Sequence, residues 1–332
     1  MPHSPEPPHP PHPPRPPHPP HPPHPPHHPP LAAFEGRLPD APAWFTQALA
    51  DAPQRSWLKV QGAEIETLAW GRVGDPGLML LHGNGAHADW YSFIAPLLRT
   101  GRRVVAMSFS GMGGSGWRIQ YSVAQWADEV MAVAQAGGLM AGPAAPVLAG
   151  HSFGGFPLLN VAARFGAQWS RAVVMDTPLQ PPSRSGRPRR HRADALRSAR
   201  VYPSLAEALA RFRFLPPQAC EWPFIADVIA RRGLKQVTGP HGRPGWVWRF
   251  DPFLFRHFEF GRPLQDLAQA ACPLTLVRGS RSQLIPERLL AWMAGAAPSG
   301  TQTRVLADAD HHLMVDQPLA LVALLDELAP RA

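Results

Sequence analysis

Apolar residues along this chain form short aliphatic runs that alternate with longer amphipathic stretches. The short runs predict strands at 77–82, 103–107, 146–149, 171–176 and 273–278, and a further strand is expected at 301–306. The amphipathic stretches predict helices at 89–98, 123–135, 155–165, 286–293 and 318–328. An antiparallel pair at 57–60 and 64–70 begins the series. Strands that alternate with helices predict an α/β fold, with a mostly parallel central sheet covered by helices on both faces.

The alternation stops between residues 178 and 262, which we call the inserted segment. This segment carries 12 aromatic residues, enough to pack a small core of its own. We therefore expect a helical cap inserted into a core made of residues 31–177 and 263–332. Some of its aromatic side chains could line a lid over a binding site, which would favour a small hydrophobic substrate.

Residues 150–154 read Gly-His-Ser-Phe-Gly and fit the pattern G-x-S-x-G. The predicted strand 146–149 runs into them, and a predicted helix of small residues follows at 155–165. A sharp turn between a strand and a helix holds the hydroxyl of Ser152 clear of the sheet, where a base and a carbonyl carbon can reach it. The pattern indicates a nucleophile, although a Gly- and Ala-rich chain can also produce it by chance.

Two further segments supply what a serine nucleophile needs. The strand 77–82 ends in His82-Gly83-Asn84-Gly85, a glycine turn that can aim backbone N–H groups at a developing oxyanion. A pair of histidines, His311 and His312, precedes the last predicted helix, and an imidazole can remove the proton of the serine. From the residues alone, either histidine could be the base, and Asn84 could be a plain turn residue.

With an oxyanion loop, a serine and a late histidine in this order, residues from about 57 to the C-terminus resemble the α/β-hydrolase-fold proteins that carry a cap domain. The resemblance implies that the N–H groups of Asn84 and Phe153 form the oxyanion hole. It also implies that His311 is the base, because the related pattern places that histidine seven residues before the proline that opens the last helix, here Pro318. His312 is then expected to have a packing role, and no cofactor is expected.

The acid of the triad departs from the usual pattern. Most relatives carry an aspartate after the strand that ends here at Gly279, but this chain has Ser282 and Gln283 at the expected positions. Some relatives place the acid at the end of the preceding strand, and the residue there is Asp176. We expect Asp176 to orient the histidine. The alternative is that Asp176 is only a turn residue before Thr177 and Pro178.

Composition separates the N-terminus from the rest. Residues 1–30 contain 18 prolines and 8 histidines and almost nothing apolar to bury, so we expect a disordered tail of polyproline II character. The tail lacks the pattern of a signal peptide, and no stretch reaches the length of a membrane span. Two cysteines, Cys220 and Cys272, make no disulfide framework. These features predict a soluble, cytoplasmic protein, and they leave its oligomeric state unknown.

The net charge of +8 is concentrated in one place. The inserted segment has 15 Arg and 1 Lys against 6 acidic residues, a net charge of +10, so the rest of the chain sums to −2. The arginine run at 184–192 could hold an anion, but a solvated basic loop is the simpler interpretation. Such a local excess does not indicate a nucleic-acid-binding protein.

Two functions fit these patterns. One is a serine hydrolase that cleaves an ester or similar acyl bond through Ser152, His311 and Asp176, with an acyl-enzyme intermediate. The other is a catalytically attenuated small-molecule binding protein on the same fold, which only the missing carboxylate after Gly279 supports.

Overall fold

The computed structural model describes residues 28–181, 200–239 and 242–332. Most of the Pro- and His-rich tail, residues 1–27, lies outside the described residues, and so does the arginine run at 184–192. The strands of the described residues are, in chain order, β1 (Gln54–Val60), β2 (Ala63–Trp70), β3 (Gly77–Leu81), β4 (Arg103–Met107), β5 (Tyr121–Ser122), β6 (Val147–His151), β7 (Arg171–Met175), β8 (Leu234–Thr238), β9 (Pro244–Trp248), β10 (Phe258–Glu259), β11 (Leu274–Gly279) and β12 (Gln302–Leu306).

Eight of these strands form one sheet in the order β1-β2-β4-β3-β6-β7-β11-β12. The first three pair antiparallel, and every later pair, from β4–β3 onward, is parallel. The predicted mostly parallel sheet is therefore confirmed, including its antiparallel start. In this order β6 lies beside β7, and β7 lies beside β11, so the ends of these three strands meet at one edge.

Alternate residues of the central strands supply two separate cores. In β3, Leu78 and Leu80 face one apolar cluster, whereas Met79 and Leu81 face the other. All four side chains are fully buried. A strand covered on both faces needs apolar residues at every position, which explains why these strands read as unbroken aliphatic runs.

Helices cover both faces of the sheet. In chain order they are α1 (Ala43–Ala50), α2 (Ala95–Leu98), α3 (Val123–Ala136), α4 (Gly155–Phe165), α5 (Leu205–Leu209), α6 (Pro223–Arg232), α7 (Pro263–Ala268), α8 (Glu287–Ala296), α9 (Leu313–Asp316) and α10 (Pro318–Leu328). The predicted helix 89–98 is wrong as one element, because a 3-10 turn at Ala88–Tyr91 and the short α2 replace it. None of the helices among the described residues is both long and apolar enough to span a membrane.

The described part of the inserted segment is not wholly helical. It contains α5 and α6, and also a hairpin in which β8 and β9 pair antiparallel outside the main sheet. Several contacts tie α6 to the core, among them an aromatic pair and an ion pair. Phe224 packs edge-on against Phe45 of α1 with ring centroids 4.7 Å apart, and Arg232 forms an ion pair with the buried Asp89 at 2.8 Å.

Candidate active site

Ser152 lies at a strained turn between β6 and α4. Its backbone has φ of 52°, in the left-handed region that non-glycine residues seldom occupy. The turn is tight, because a Cβ on Gly154 would overlap the carbonyl oxygen of His82 and one on Gly150 would lie 2.8 Å from the carbonyl oxygen of Gly154. Strain of this kind persists only where the surrounding structure enforces it, and it is typical of nucleophile turns.

The ring of His311 lies within hydrogen-bonding distance of Ser152. Nε2 of His311 is 2.8 Å from Oγ of Ser152, and Nδ1 is 2.7 Å from Oδ2 of Asp176. A carboxylate only accepts hydrogen bonds, so the proton of the neutral ring belongs on Nδ1. Nε2 then keeps its lone pair and can accept the hydroxyl proton of the serine. The structure thus brings together Ser152, His311 and Asp176, the three residues that were predicted from the sequence.

Asp176 follows the last residue of β7 and is fully buried, with φ of 49°. Its Oδ1 accepts the N–H of Gly279 at 3.0 Å, and its Oδ2 accepts the hydroxyl of Ser282 at 2.6 Å in addition to the imidazole of His311. Ser282 is one of the two positions at which relatives carry the acid. Here that position contributes a hydroxyl to a carboxylate that comes from the neighbouring strand.

The predicted oxyanion loop lies directly against Ser152. A Cβ on Gly83 would lie 3.1 Å from Cβ of Ser152 and 3.2 Å from Nδ1 of His151, so a larger residue there would force the loop or its neighbours to shift. The N–H of Asn84, the next residue, meets no hydrogen-bond acceptor among the described residues. Phe153 belongs to the first turn after β6, where N–H groups have no partner within the helix. Both of the predicted oxyanion donors are therefore available to a ligand.

His82 braces this loop through hydrogen bonds to Gly83 and Phe109. Its Nε2 accepts the N–H of Phe109 at 3.1 Å, so Nδ1 carries the proton and donates to the carbonyl of Gly83 at 2.7 Å. Burial lowers the pKa of His82 to about 3, because the charged ring would lose its hydration. The ring therefore stays neutral and keeps the same two partners across the physiological pH range.

His151 contacts the backbone of the predicted base, His311, a link that the sequence did not reveal. Its ring is buried, and Nε2 donates to the backbone carbonyl of His311 at 2.8 Å. Burial and the neighbouring His311 hold the pKa of His151 well below its ordinary value, so the ring is neutral. The residue before the nucleophile and the residue predicted as base are thus linked through a backbone atom, which no local sequence pattern could indicate.

His312 is buried beside His311, with the two ring centroids 4.8 Å apart. Its ring packs against Trp90 at 5.4 Å and against Phe214 of the inserted segment at 5.1 Å. One ring nitrogen from each of His151, His311 and His312 lies within 4.8 Å of the other two, so this cluster could hold a metal ion that prefers imidazole. Both ring nitrogens of His311 already have partners in Ser152 and Asp176, so an ion bound there would displace one of them and could not assist the predicted base.

A wall of phenylalanines surrounds the side chain of Phe153. Phe156, Phe255, Phe258 and Phe260 all lie with ring centroids 5.2 to 5.6 Å from its ring. Beside this wall lies a largely apolar cavity of about 580 Å³, which is lined by residues of α4, of the chain after β7 and of the start of α7, among them Phe156, Leu179, Phe260, Arg262 and Leu264.

Comparison with protein families identifies the chain. The model of the alpha/beta hydrolase family matches residues 78–324, which is most of the chain and includes every site residue described above. The protein belongs to that family. The esterase Rv0045c of Mycobacterium tuberculosis is 27% identical over 286 residues, which cover 84% of this chain and 90% of that protein. Family membership together with this similarity supports hydrolase activity.

Solved structures agree on the fold. The thioesterase domain from the curacin biosynthetic pathway superposes with a TM-score of 0.67 at 21% identity and covers 82% of this chain and 99% of that domain. A crystal structure of the M. tuberculosis esterase Rv0045c gives a TM-score of 0.61 at 22% identity, covering 88% of this chain and 99% of that one. At these identities the structural likeness establishes the α/β-hydrolase fold only. The reaction has to be inferred from the geometry of the site.

Proposed function

We propose that the protein is a serine hydrolase that cleaves a carboxylic ester or a similar acyl bond through a Ser-His-Asp triad. The observation that carries the proposal is the continuous chain of hydrogen bonds from Ser152 through His311 to Asp176, at 2.8 and 2.7 Å. These lengths match those of a nucleophile and a base poised for proton transfer. The similarity to an esterase points to the same class of reaction.

The proposed reaction has two halves. Nε2 of His311 takes the hydroxyl proton while Oγ of Ser152 attacks the carbonyl carbon, and the N–H groups of Asn84 and Phe153 stabilise the negative oxygen of the tetrahedral intermediate. His311 then gives the proton to the departing alcohol, which leaves an acyl group on Ser152. A water molecule, deprotonated by the same ring, hydrolyses this acyl-enzyme. Asp176 keeps the Nδ1 proton in place and stabilises the imidazolium.

The substrate is proposed to carry an apolar acyl chain, and the inserted segment is proposed to act as its cap. The support is the apolar cavity, whose volume falls within the usual range for small-molecule sites. Phe156 lines the cavity four residues after Ser152, and Leu179 lines it three residues after Asp176. Phe255, Phe258 and Phe260 bring aromatic rings of the inserted segment to the same side.

Asp176→Asn tests the proposed triad. The amide keeps the size of the side chain but can present an N–H to Nδ1 of His311, which favours the wrong tautomer. In serine proteases such a change lowers kcat on the order of ten-thousand-fold, and we expect a loss of that size in the hydrolysis of p-nitrophenyl esters. Turnover near that of the wild type would mean that Asp176 is not the acid.

A second substitution makes this test specific. Ser282 contacts Oδ2 of Asp176, so Asp176→Asn combined with Ser282→Asp returns a carboxylate to the neighbourhood of His311 from the position that most relatives use. We expect partial recovery of kcat in the double variant. Asp176→Asn combined with Ser280→Asp is the matched control, because Ser280 contacts the backbone of Asp308 and does not contact Asp176. Equal activity in the two double variants would count against an orienting carboxylate.

Acyl-chain length should reveal the role of the cavity. Each buried methylene contributes about 0.8 kcal/mol, which corresponds to roughly a fourfold gain in kcat/KM per carbon until the cavity is full. Leu264→Trp should project an indole into the cavity and shorten it, so the gain should stop at a shorter acyl chain while short esters are unaffected. Leu319→Trp, at an exposed position on α10, is the control. If Leu264→Trp leaves the chain-length profile unchanged, the acyl chain binds elsewhere.

A further inference from the structure

The segment that carries His311 has little secondary structure of its own. It runs from Asp310 to Asp316, and α9 is only a single turn at its end. Its internal hydrogen bonds are short-range, such as the N–H of Val315 to the carbonyl of His312 at 2.8 Å. We call residues 310–316 the base loop. A base must hold its position to within a fraction of an ångström, so contacts from outside the loop are needed to fix it.

One side chain of the inserted segment, Gln218, makes two hydrogen bonds to the base loop, and we call this pair of hydrogen bonds the grip. Oε1 of Gln218 accepts the N–H of His312 at 2.9 Å, and Nε2 of the same amide donates to Oδ1 of Asp316 at 2.8 Å. His312 immediately follows the proposed base. The two ends of one amide therefore hold two points of the loop, one with the acceptor atom and one with the donor atom.

Asp316 extends this grip to the other side of His311. Its Oδ2 accepts the N–H of Asp310 at 2.7 Å, and the indole of Trp222 donates to its backbone carbonyl at 3.3 Å. Gln218 thus reaches the residue after His311 directly and the residue before it through the Asp316 carboxylate. Gln218 is half-buried, and both polar atoms of its amide have a partner. Ala could not replace these contacts, and Asn is one methylene too short.

We propose that Gln218 is a positioning residue for the base, so that the inserted segment forms part of the catalytic apparatus and is more than a lid. The role rests on the proposed function, since it acts through His311 and makes no contact with Ser152 or the oxyanion donors among the described residues. Loss of the grip lets the base loop shift. A displacement of about 1 Å can cost on the order of a hundredfold in rate, whereas substrate binding in the apolar cavity is untouched.

The first experiment compares Gln218→Ala with Gln236→Ala. Gln236 lies in the same inserted segment, on the exposed face of β8, and serves as the matched control. We expect Gln218→Ala to lower kcat by ten- to a hundredfold with KM changed by less than twofold, and we expect Gln236→Ala to resemble the wild type. A folded Gln218→Ala variant with unchanged kcat overturns the proposal, and so does an equal loss in Gln236→Ala.

The second experiment reverses which residue donates the hydrogen bond between positions 218 and 316. Gln218→Glu places a carboxylate against the Asp316 carboxylate, which should lower kcat at least as much as Gln218→Ala. Adding Asp316→Asn gives every group a partner again, with one hydrogen bond reversed. The carboxylate at 218 then accepts from the N–H of His312 and from the amide at 316. The oxygen of that amide accepts the N–H of Asp310. We expect the double variant to recover most of the lost kcat. A double variant no more active than Gln218→Glu overturns the proposal, even if Gln218→Ala fails to fold.

A proton NMR measurement can test the positioning role of Gln218 independently of the proposed hydrolase activity. We expect the proton between Nδ1 of His311 and Asp176 to give a strongly downfield signal, which would report this contact without any turnover. A wild-type protein without ester activity would contradict the proposed function alone. The positioning role predicts that the signal shifts or broadens in Gln218→Ala and returns in the exchanged double variant, and an unaltered signal in Gln218→Ala contradicts it.

Discussion

Ser152→Ala is expected to lower kcat for p-nitrophenyl esters on the order of a million-fold, the loss seen when a serine protease loses its nucleophile. Alanine has no atom that can form the acyl-enzyme, so labelling by a fluorophosphonate probe should disappear as well. The fold should survive, because alanine is smaller than serine and tolerates φ of 52° no worse. Thermal unfolding and circular dichroism of the variant check this last point.

A matched control makes the serine prediction specific. Ser170 is an exposed serine whose hydroxyl donates to the carbonyl of Pro146, far from His311 in the fold. Ser170→Ala should label and turn over like the wild type. Folded Ser152→Ala protein with wild-type turnover would overturn the nucleophile assignment. A wild-type protein that does not label would instead favour the attenuated binding protein that the sequence left open.

The sheet could be predicted from the sequence because its strands are buried on both faces. Unbroken apolar runs such as 104–107 and 172–175 leave few other structures open, and β4 and β7 include those positions. The predicted helix 89–98 failed for a local reason. Trp90, Phe93, Ile94 and Leu97 have helical spacing, but Pro96 has no N–H to donate within a helix. The chain therefore turns at Ala88–Tyr91 and begins a new helix with Pro96 in its first turn.

The structure of the inserted segment was harder to predict, because the positions of its apolar residues do not indicate which other residues they pack against. The hairpin of β8 and β9 includes Trp246 and Trp248, and α1, which the sequence analysis did not predict, packs on Phe224 through Phe45. Twelve aromatic residues in a segment indicate a core, but they do not reveal whether helices or strands build it. Contacts between segments far apart in sequence decide that question.

In the candidate site, too, local features could be predicted from the sequence, whereas contacts between distant segments could not. The turn at Ser152 is a local feature, and its sequence pattern identifies it. The link between Asp176 and Ser282 depends on the pairing of β7 with β11, in which the N–H of Asp176 also donates to the carbonyl of Val277 at 2.8 Å. The departure from the usual acid position could be seen in the sequence. The contact between Ser282 and the carboxylate of Asp176 could not be predicted from the sequence.

His311→Ala should cost about as much as loss of the proposed nucleophile, on the order of a million-fold in kcat, because no other group among the described residues is within hydrogen-bonding distance of Oγ of Ser152 to take its proton. Fluorophosphonate labelling should slow in parallel, since the probe reacts only with an activated serine. Binding of an unreactive substrate analogue should change little, because His311 contributes to the reaction step and not to the apolar cavity.

His312→Ala is the control that tests the register of this assignment. Its ring packs against Trp90 and Phe214, so truncation should lower the thermal midpoint through lost packing. The backbone N–H that Gln218 accepts remains in this variant, so kcat of the folded protein should stay within about tenfold of the wild type. A catastrophic loss of kcat in His312→Ala with a mild one in His311→Ala would mean that the base lies one residue later than the geometry indicates.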